Sequence, residues 1–162
     1  MRHKAWLWAA LLLAGCGPHR PPPPTLAFDG LPVSGSMADA RRAGFTDCEQ
    51  PDAISLRCRR HKVTLAGAGP YEAALDLVGG DGSGGFDQLT LWHDGDQDAV
   101  YQITDALEKR GWRHCNVATA DGHGDQIIYT RSGERVRISM DLSYWNRRRL
   151  RVLPAWSKER RC

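Results

Sequence analysis

Two short stretches of this 162-residue chain share a pattern that restricts what it can fold into. Ala43-Gly44-Phe45-Thr46-Asp47-Cys48 and Arg110-Gly111-Trp112-Arg113-His114-Cys115 each carry a glycine, then an aromatic, then a cysteine three residues past the aromatic. Glycine accepts the left-handed backbone that ends an α-helix, so both stretches read as helix ends. Upstream of the first, Ser36-Met37-Ala38-Asp39 has the S-x-x-D form of a capping box, with Asp39 near the positive end of the helix. Upstream of the second, residues 97–110 place Val100, Ile103 and Leu107 on one helical stripe with Ala99 and Ala106 beside it.

Downstream of each helix end the chain alternates between apolar and polar residues, as half-buried strands do. After the first come 54–58, 63–65, 73–78 and 86–92; after the second come 116–119, 126–130, 135–144 and 149–153, with Ser132-Gly133-Glu134 as a tight hairpin turn. The expected fold class is α+β, a single domain rich in antiparallel sheet with two helices. The matching halves fit an internal helix-then-strands repeat, or simply the commonness of glycine-aromatic helix ends. In both cases one shared core is required, because a half of roughly 60 residues buries too little apolar area to stand alone. The globular domain is expected over 36–156, with 157–162 as a basic tail.

The chain opens with a different kind of signal. Arg2 and Lys4 precede an uncharged apolar run, residues 5–14, that is far shorter than the roughly 20 residues a membrane-spanning helix needs. A basic start, a short apolar segment and small residues before a cut site describe an export signal. The segment ends Leu13-Ala14-Gly15-Cys16, which resembles the lipobox of bacterial lipoproteins. That resemblance implies cleavage between Gly15 and Cys16 and a diacylglycerol thioether on Cys16. Several buried acyl chains anchor a protein stably, at roughly 0.8 kcal/mol per CH₂. Gly17 stands where an aspartate would, by analogy with enteric bacteria, retain a lipoprotein at the inner membrane, so the expected location is the outer membrane facing the periplasm. Pro18, Pro21, Pro22, Pro23, Pro24 and Pro32, most of the nine prolines, make residues 16–35 a semi-rigid tether.

With Cys16 assigned to lipid, Cys48, Cys58, Cys115 and Cys162 form an even set in an exported chain. Sequence alone does not select among three connectivities. Proximity favours Cys48 with Cys58 around a turn containing Pro51 and Asp52, which leaves Cys115 with Cys162.

Charge narrows the function classes. The whole-chain value of +3 falls nearly to neutral once Arg2 and Lys4 are removed, which argues against a nucleic-acid binder. Asp94, Asp96 and Asp98 alternate as in the first half of an EF-hand loop, with Asp105 at the twelfth position. However, Ala99 occupies the sixth position, where glycine makes the turn, and helix capping explains the same acids. Residues 79–85 are glycine-rich but lack the Lys-Ser/Thr ending of a phosphate loop. His93, His114 and His123, even with Asp121 and Asp125, lack metal-ligand spacing, and no nucleophile elbow is present. No cofactor is expected. Trp145, Arg147, Arg148, Arg149 and Arg151 could meet phosphates or an acidic protein, although Arg149 to Val152 also alternates as a charged edge strand would. The expectation is a lipid-anchored, non-enzymatic binding or envelope-assembly module that meets an envelope protein or an anionic envelope polymer. The alternative is a calcium-dependent or enzymatic envelope protein using Asp94, Asp96 and Asp98.

Overall fold

The computed structural model describes residues 25–117, 125–143 and 148–156. Cys16, Trp145, Arg147, Cys162, Asp121 and His123 lie outside them, as does the end of the strand expected at 116–119.

The described residues form ten strands and two helices, in chain order β1 (Leu26–Phe28), β2 (Leu31–Ser34), α1 (Met37–Arg42), β3 (Asp47–Asp52), β4 (Ser55–Leu65), β5 (Ala68–Val78), β6 (Phe86–Trp92), α2 (Gln102–Lys109), β7 (Arg113–Asn116), β8 (Asp125–Thr130), β9 (Val136–Asp141) and β10 (Arg149–Pro154). A short 3₁₀ turn, Ala99–Tyr101, leads into α2. Strands β3 to β10 form one sheet in the order β3-β4-β5-β6-β10-β9-β8-β7, with every neighbouring pair antiparallel. The order reads as two four-strand meanders, each preceded by a helix and joined through their last strands, β6 and β10.

The two helix ends have identical hydrogen bonding. Gly44 N–H donates to Arg41 O at 3.0 Å and Phe45 N–H to Ala40 O at 3.0 Å; Gly111 N–H donates to Glu108 O at 2.9 Å and Trp112 N–H to Leu107 O at 3.1 Å. This is the Schellman pattern, and the φ values of 83° at Gly44 and 81° at Gly111 explain the glycines. Each pattern turns the next aromatic inward, and Phe45 and Trp112 are both buried. At the other end of α1, Ser36 and Asp39 complete the reciprocal capping box. Its hydrogen bonds hold the Asp39 carboxyl below the usual range, those from Ser36 contributing most.

Alternation sorts the sheet into two faces. The inner face carries Cys58, Tyr71, Ala73, Leu75, Leu77, Leu89, Leu91, Leu150, Val152, Ile138, Met140 and Tyr129, all buried. Against it pack Ala40 of α1, Ile103 and Leu107 of α2, and Leu26, Leu31 and Val33 of the β1/β2 hairpin. Both helices and the hairpin therefore form one layer, as expected for an amphipathic sheet needing a cover. Tyr71 Oη donates to Ala99 O at 3.1 Å, tying the start of α2 to β5, and burial pushes its hydroxyl up to about 12.

Several expectations need correction. Folded structure is already present at Leu26, ahead of Ser36: the hairpin places three buried apolar side chains in the core and sets Phe28 edge-on to Trp112 at 5.3 Å. Pro32 misled because it sits in β2, a strand of a two-stranded sheet with one ladder to satisfy. Pro51 and Asp52 end β3 rather than forming the turn; Asp52 Oδ1 accepts from Ile54 N–H at 2.9 Å and Ser55 Oγ at 2.7 Å across that turn. The strands expected at 54–58 and 63–65 are one strand, interrupted by a bulge at which Lys62 has a φ of 53°. Finally, β10 is central, not an edge: it lies between β6 and β9, and the true edges are β3 and β7.

Candidate functional site

The outer face of the sheet, away from the helices, is where the charged residues gather. Its rows are set by register. One runs Cys115, Ile128, Ser139, Arg151, Thr90, Ala74, Arg59 and Asp47 across the eight strands. The neighbouring row includes Arg137, Leu153, Gln88, Asp76, Arg57 and Glu49, and a third includes Asp141, Arg149, Trp92 and Glu72.

Four of these side chains form a continuous chain across the seam between the meanders. Arg57 donates through Nε to Asp76 Oδ1 at 2.6 Å and through Nη2 to Oδ2 at 3.2 Å. Gln88 Nε2 donates to Asp76 Oδ2 at 2.9 Å, and Arg151 Nη1 donates to Gln88 Oε1 at 2.8 Å. Asp76 is buried, so its charge requires these donors. The bonds that Arg57 donates to Asp76 in turn raise its guanidinium above the ordinary value. Nearby, Arg149 donates from Nε to Asp141 Oδ2 at 3.1 Å, while Arg59 pairs with Glu49 and His61 with Glu72.

Of the arginines picked out from sequence, the three among the described residues, Arg148, Arg149 and Arg151, are engaged internally. Arg149 and Arg151 project from the sheet centre into this lattice. Arg148 pairs with Asp98, its backbone N–H donates to Gln97 Oε1 at 2.9 Å, and its guanidinium stacks over Tyr101 at 5.3 Å. Trp145 and Arg147 fall outside the described residues.

The aspartates ahead of α2 do not converge. Asp94 accepts from Trp92 Nε1 at 3.0 Å, Asp96 accepts from the Asp98 N–H at 2.9 Å, and Asp98 holds Arg148. His93 Nδ1 accepts from Gly95 and Asp96 N–H at 3.2 and 2.8 Å, and His114 lies 3.2 Å from Glu108. Among the described residues no group of three His, Cys, Asp or Glu side chains is placed to hold a metal ion. Nor is any described helix long and apolar enough to cross a membrane.

Cys48 and Cys58, opposite each other on β3 and β4, form a disulfide, as expected from their proximity. Cys115 is also disulfide-bonded. Because Cys48 and Cys58 hold each other, its partner lies outside the described residues. Register shows why the second unit does not copy the first: Cys48 shares the inner face with Cys58, whereas Cys115 stands opposite Ile128 on the outer face.

Sequence reasoning missed the Arg57, Asp76 and Gln88 chain. Its trace was present, since Asp76 is a lone acid in the apolar run Ala73-Ala74-Leu75-Asp76-Leu77-Val78 and a buried charge needs a partner. Fold and site together define an eight-stranded antiparallel sheet with one helical face and one charge-paired face. No protein-family model, curated protein or solved structure matches the chain.

Proposed function

We propose that the protein is a lipid-anchored, non-enzymatic envelope module whose outer sheet face docks a folded protein partner. The address is carried by Leu13-Ala14-Gly15-Cys16, with the prolines between Gly17 and Leu26 as stand-off. The location this implies is the outer membrane, facing the periplasm.

The observation that carries the choice of partner is the pairing of the outer-face charges. Arg57, Arg59 and Arg149 each face a carboxylate, and Arg151 is committed to Gln88. A face neutralised in this way has little long-range field with which to attract an anionic polymer. It does offer guanidinium and carboxylate groups already fixed in direction, which lowers the ordering cost of a specific polar interface. The related helix-then-four-strand units are read as a duplication that doubled the width of this face.

Two measurements test the reading. Mass spectrometry of the mature amino terminus should find a diacylated Cys16; an unmodified Cys16 or a retained Met1 rejects the address. Capture from solubilised envelopes should lose its specific protein when Arg57, Arg149 and Arg151 become Ser. It should leave lipopolysaccharide unbound at physiological salt. Unchanged protein capture, or salt-sensitive polymer binding removed by those changes, rejects the docking face.

A further inference from the structure

We propose that copies of this chain join head to tail through the margins of the sheet, β7 of one copy pairing with β3 of the next. The join stands whatever the outer face binds.

The ladder itself sets the join. Among the described residues no strand lies beyond β3 or β7. Cys48 and Cys58 have Cα atoms 4.0 Å apart, the close spacing of a pair that exchanges no backbone hydrogen bonds. In such a pair the amide and carbonyl of each residue point away from the other, so those of Cys48 point off the open side of β3. Both groups of a strand residue point to the same side, so non-bonded and bonded pairs alternate along a row across the sheet. From Cys48 one row crosses seven strand pairs and ends at His114. The first pair is non-bonded, so the seventh, Tyr129 with His114, is non-bonded as well, and their rings lie 5.4 Å apart. The amide and carbonyl of His114 therefore point off the open side of β7.

Direction agrees. Eight strands with every neighbouring pair antiparallel leave β3 and β7 running opposite ways, so a copy carried along the sheet brings its β3 antiparallel to β7. His114 then exchanges both backbone bonds with Cys48 of the next copy, and the row continues unbroken.

Side chains choose this pairing over the two symmetric ones. With His114 opposite Cys48, the outer face sets Arg113 opposite Glu49 of the next copy, and both are exposed. Opposite charges directly across a strand pair attract, whereas like charges repel. Two β3 margins paired about Cys48 would set Asp47 opposite Glu49 twice. Two β7 margins paired about His114 would set imidazole against imidazole and give Arg113 no carboxylate. Charge on an edge strand normally discourages pairing between sheets; margins of opposite sign discourage only like with like. Pro51, which has no N–H, and the irregular register after Glu49 confine the join to residues 47–50 against the four residues of β7. The contact is accordingly small and reversible. Since each margin meets the other kind, a joined pair still offers one β3 and one β7, and assembly grows with concentration.

Sedimentation velocity of the full chain, from micromolar to millimolar concentration, should show mass rising with concentration. Arg113→Glu sets like charges across the join and should weaken association about fivefold. The register is read by a zero-length carbodiimide cross-link in Arg113→Lys, which places an amine opposite the Glu49 carboxylate of the next copy. Within one copy positions 113 and 49 stand at opposite margins, about 34 Å apart at about 4.8 Å per strand, so a peptide joining them comes from two copies. That peptide should form in concentrated protein and vanish on dilution. A monomer at every concentration, association unchanged by Arg113→Glu, or association without the 113-to-49 peptide overturns the pairing. The cross-link needs only the conservative variant, so it decides the question even where Arg113→Glu loses its fold.

Discussion

Replacing Asp76 with Ala tests whether the chain of side chains across the outer face holds the sheet together or merely decorates it. Asp76 accepts two hydrogen bonds from Arg57 and one from Gln88, and its side chain is 12% exposed against 38% for that of Arg57. Removing one partner of a fully buried ion pair costs about 3–5 kcal/mol, whereas a solvent-exposed pair is worth about 0.2–1 kcal/mol. Water can still reach the freed Arg57 guanidinium, but Gln88 loses its acceptor too. The expected loss is intermediate, about 2 kcal/mol, or about 8 °C in Tm for a domain of this size. Urea unfolding followed by circular dichroism measures it directly. A double-mutant cycle with Arg57→Ala should return a coupling of about 1 kcal/mol, since the two side chains are in direct contact. A loss below about 0.5 kcal/mol for Asp76→Ala, the range of ordinary surface changes, would mean that the chain of side chains is decoration.

The same geometry sets two further outcomes. Tyr71→Phe should lower stability at neutral pH by about 1 kcal/mol through the lost bond to Ala99 O. Because the folded hydroxyl is raised to about 12 against about 10 unfolded, its contribution is whole below pH 10 and disappears as pH rises towards 12. The variant should therefore lose less stability than wild type across that window, and parallel alkaline unfolding curves would count against it. Cys48→Ser with Cys58→Ser should cost about 2–3 kcal/mol, the chain-entropy value for a loop of sequence separation 10. Urea midpoints will show it, and an unchanged midpoint would mean the β3–β4 pairing already confines the unfolded chain there.

How much was legible beforehand depended on the range of the interaction. The capping box at Ser36 and Asp39 and the glycine ends at Gly44 and Gly111 involve partners within one helical turn or so, and each formed where the residues indicated. Strand 86–92 was read from alternation and matches β6. The central position of β10 could not be read in this way, because Arg149-Leu150-Arg151-Val152 has the same alternation in an edge strand as in a central strand with one polar face. Only pairing with β6 and β9 decides between them, and that choice rests on residues far away in sequence. The internal pairing of Arg148, Arg149 and Arg151 was hidden for the same reason: the sequence shows the cations, but their partners Asp98, Asp141 and Gln88 come from other elements. The hairpin at Leu26–Phe28 and Leu31–Ser34 was hidden by composition, its apolar side chains standing next to a proline tract.

The seam shows why the two units form one domain rather than two. Gln88 on β6 spends its amide hydrogen on Asp76 of its own unit and its carbonyl oxygen on Arg151 of the other. Beneath it, Leu89 and Leu91 of β6 stand opposite Val152 and Leu150 of β10, and all four are fully buried. Separating the units would uncover this apolar row, strip two inner strands of their ladder partners and leave Arg151 without its carboxamide acceptor. The hairpin closes the remaining gap, since β2 packs over both β6 and β10. Each unit supplies half of an outer face that only the pair completes, so any contact surface spanning Arg57 to Arg151 exists only while β6 and β10 remain joined.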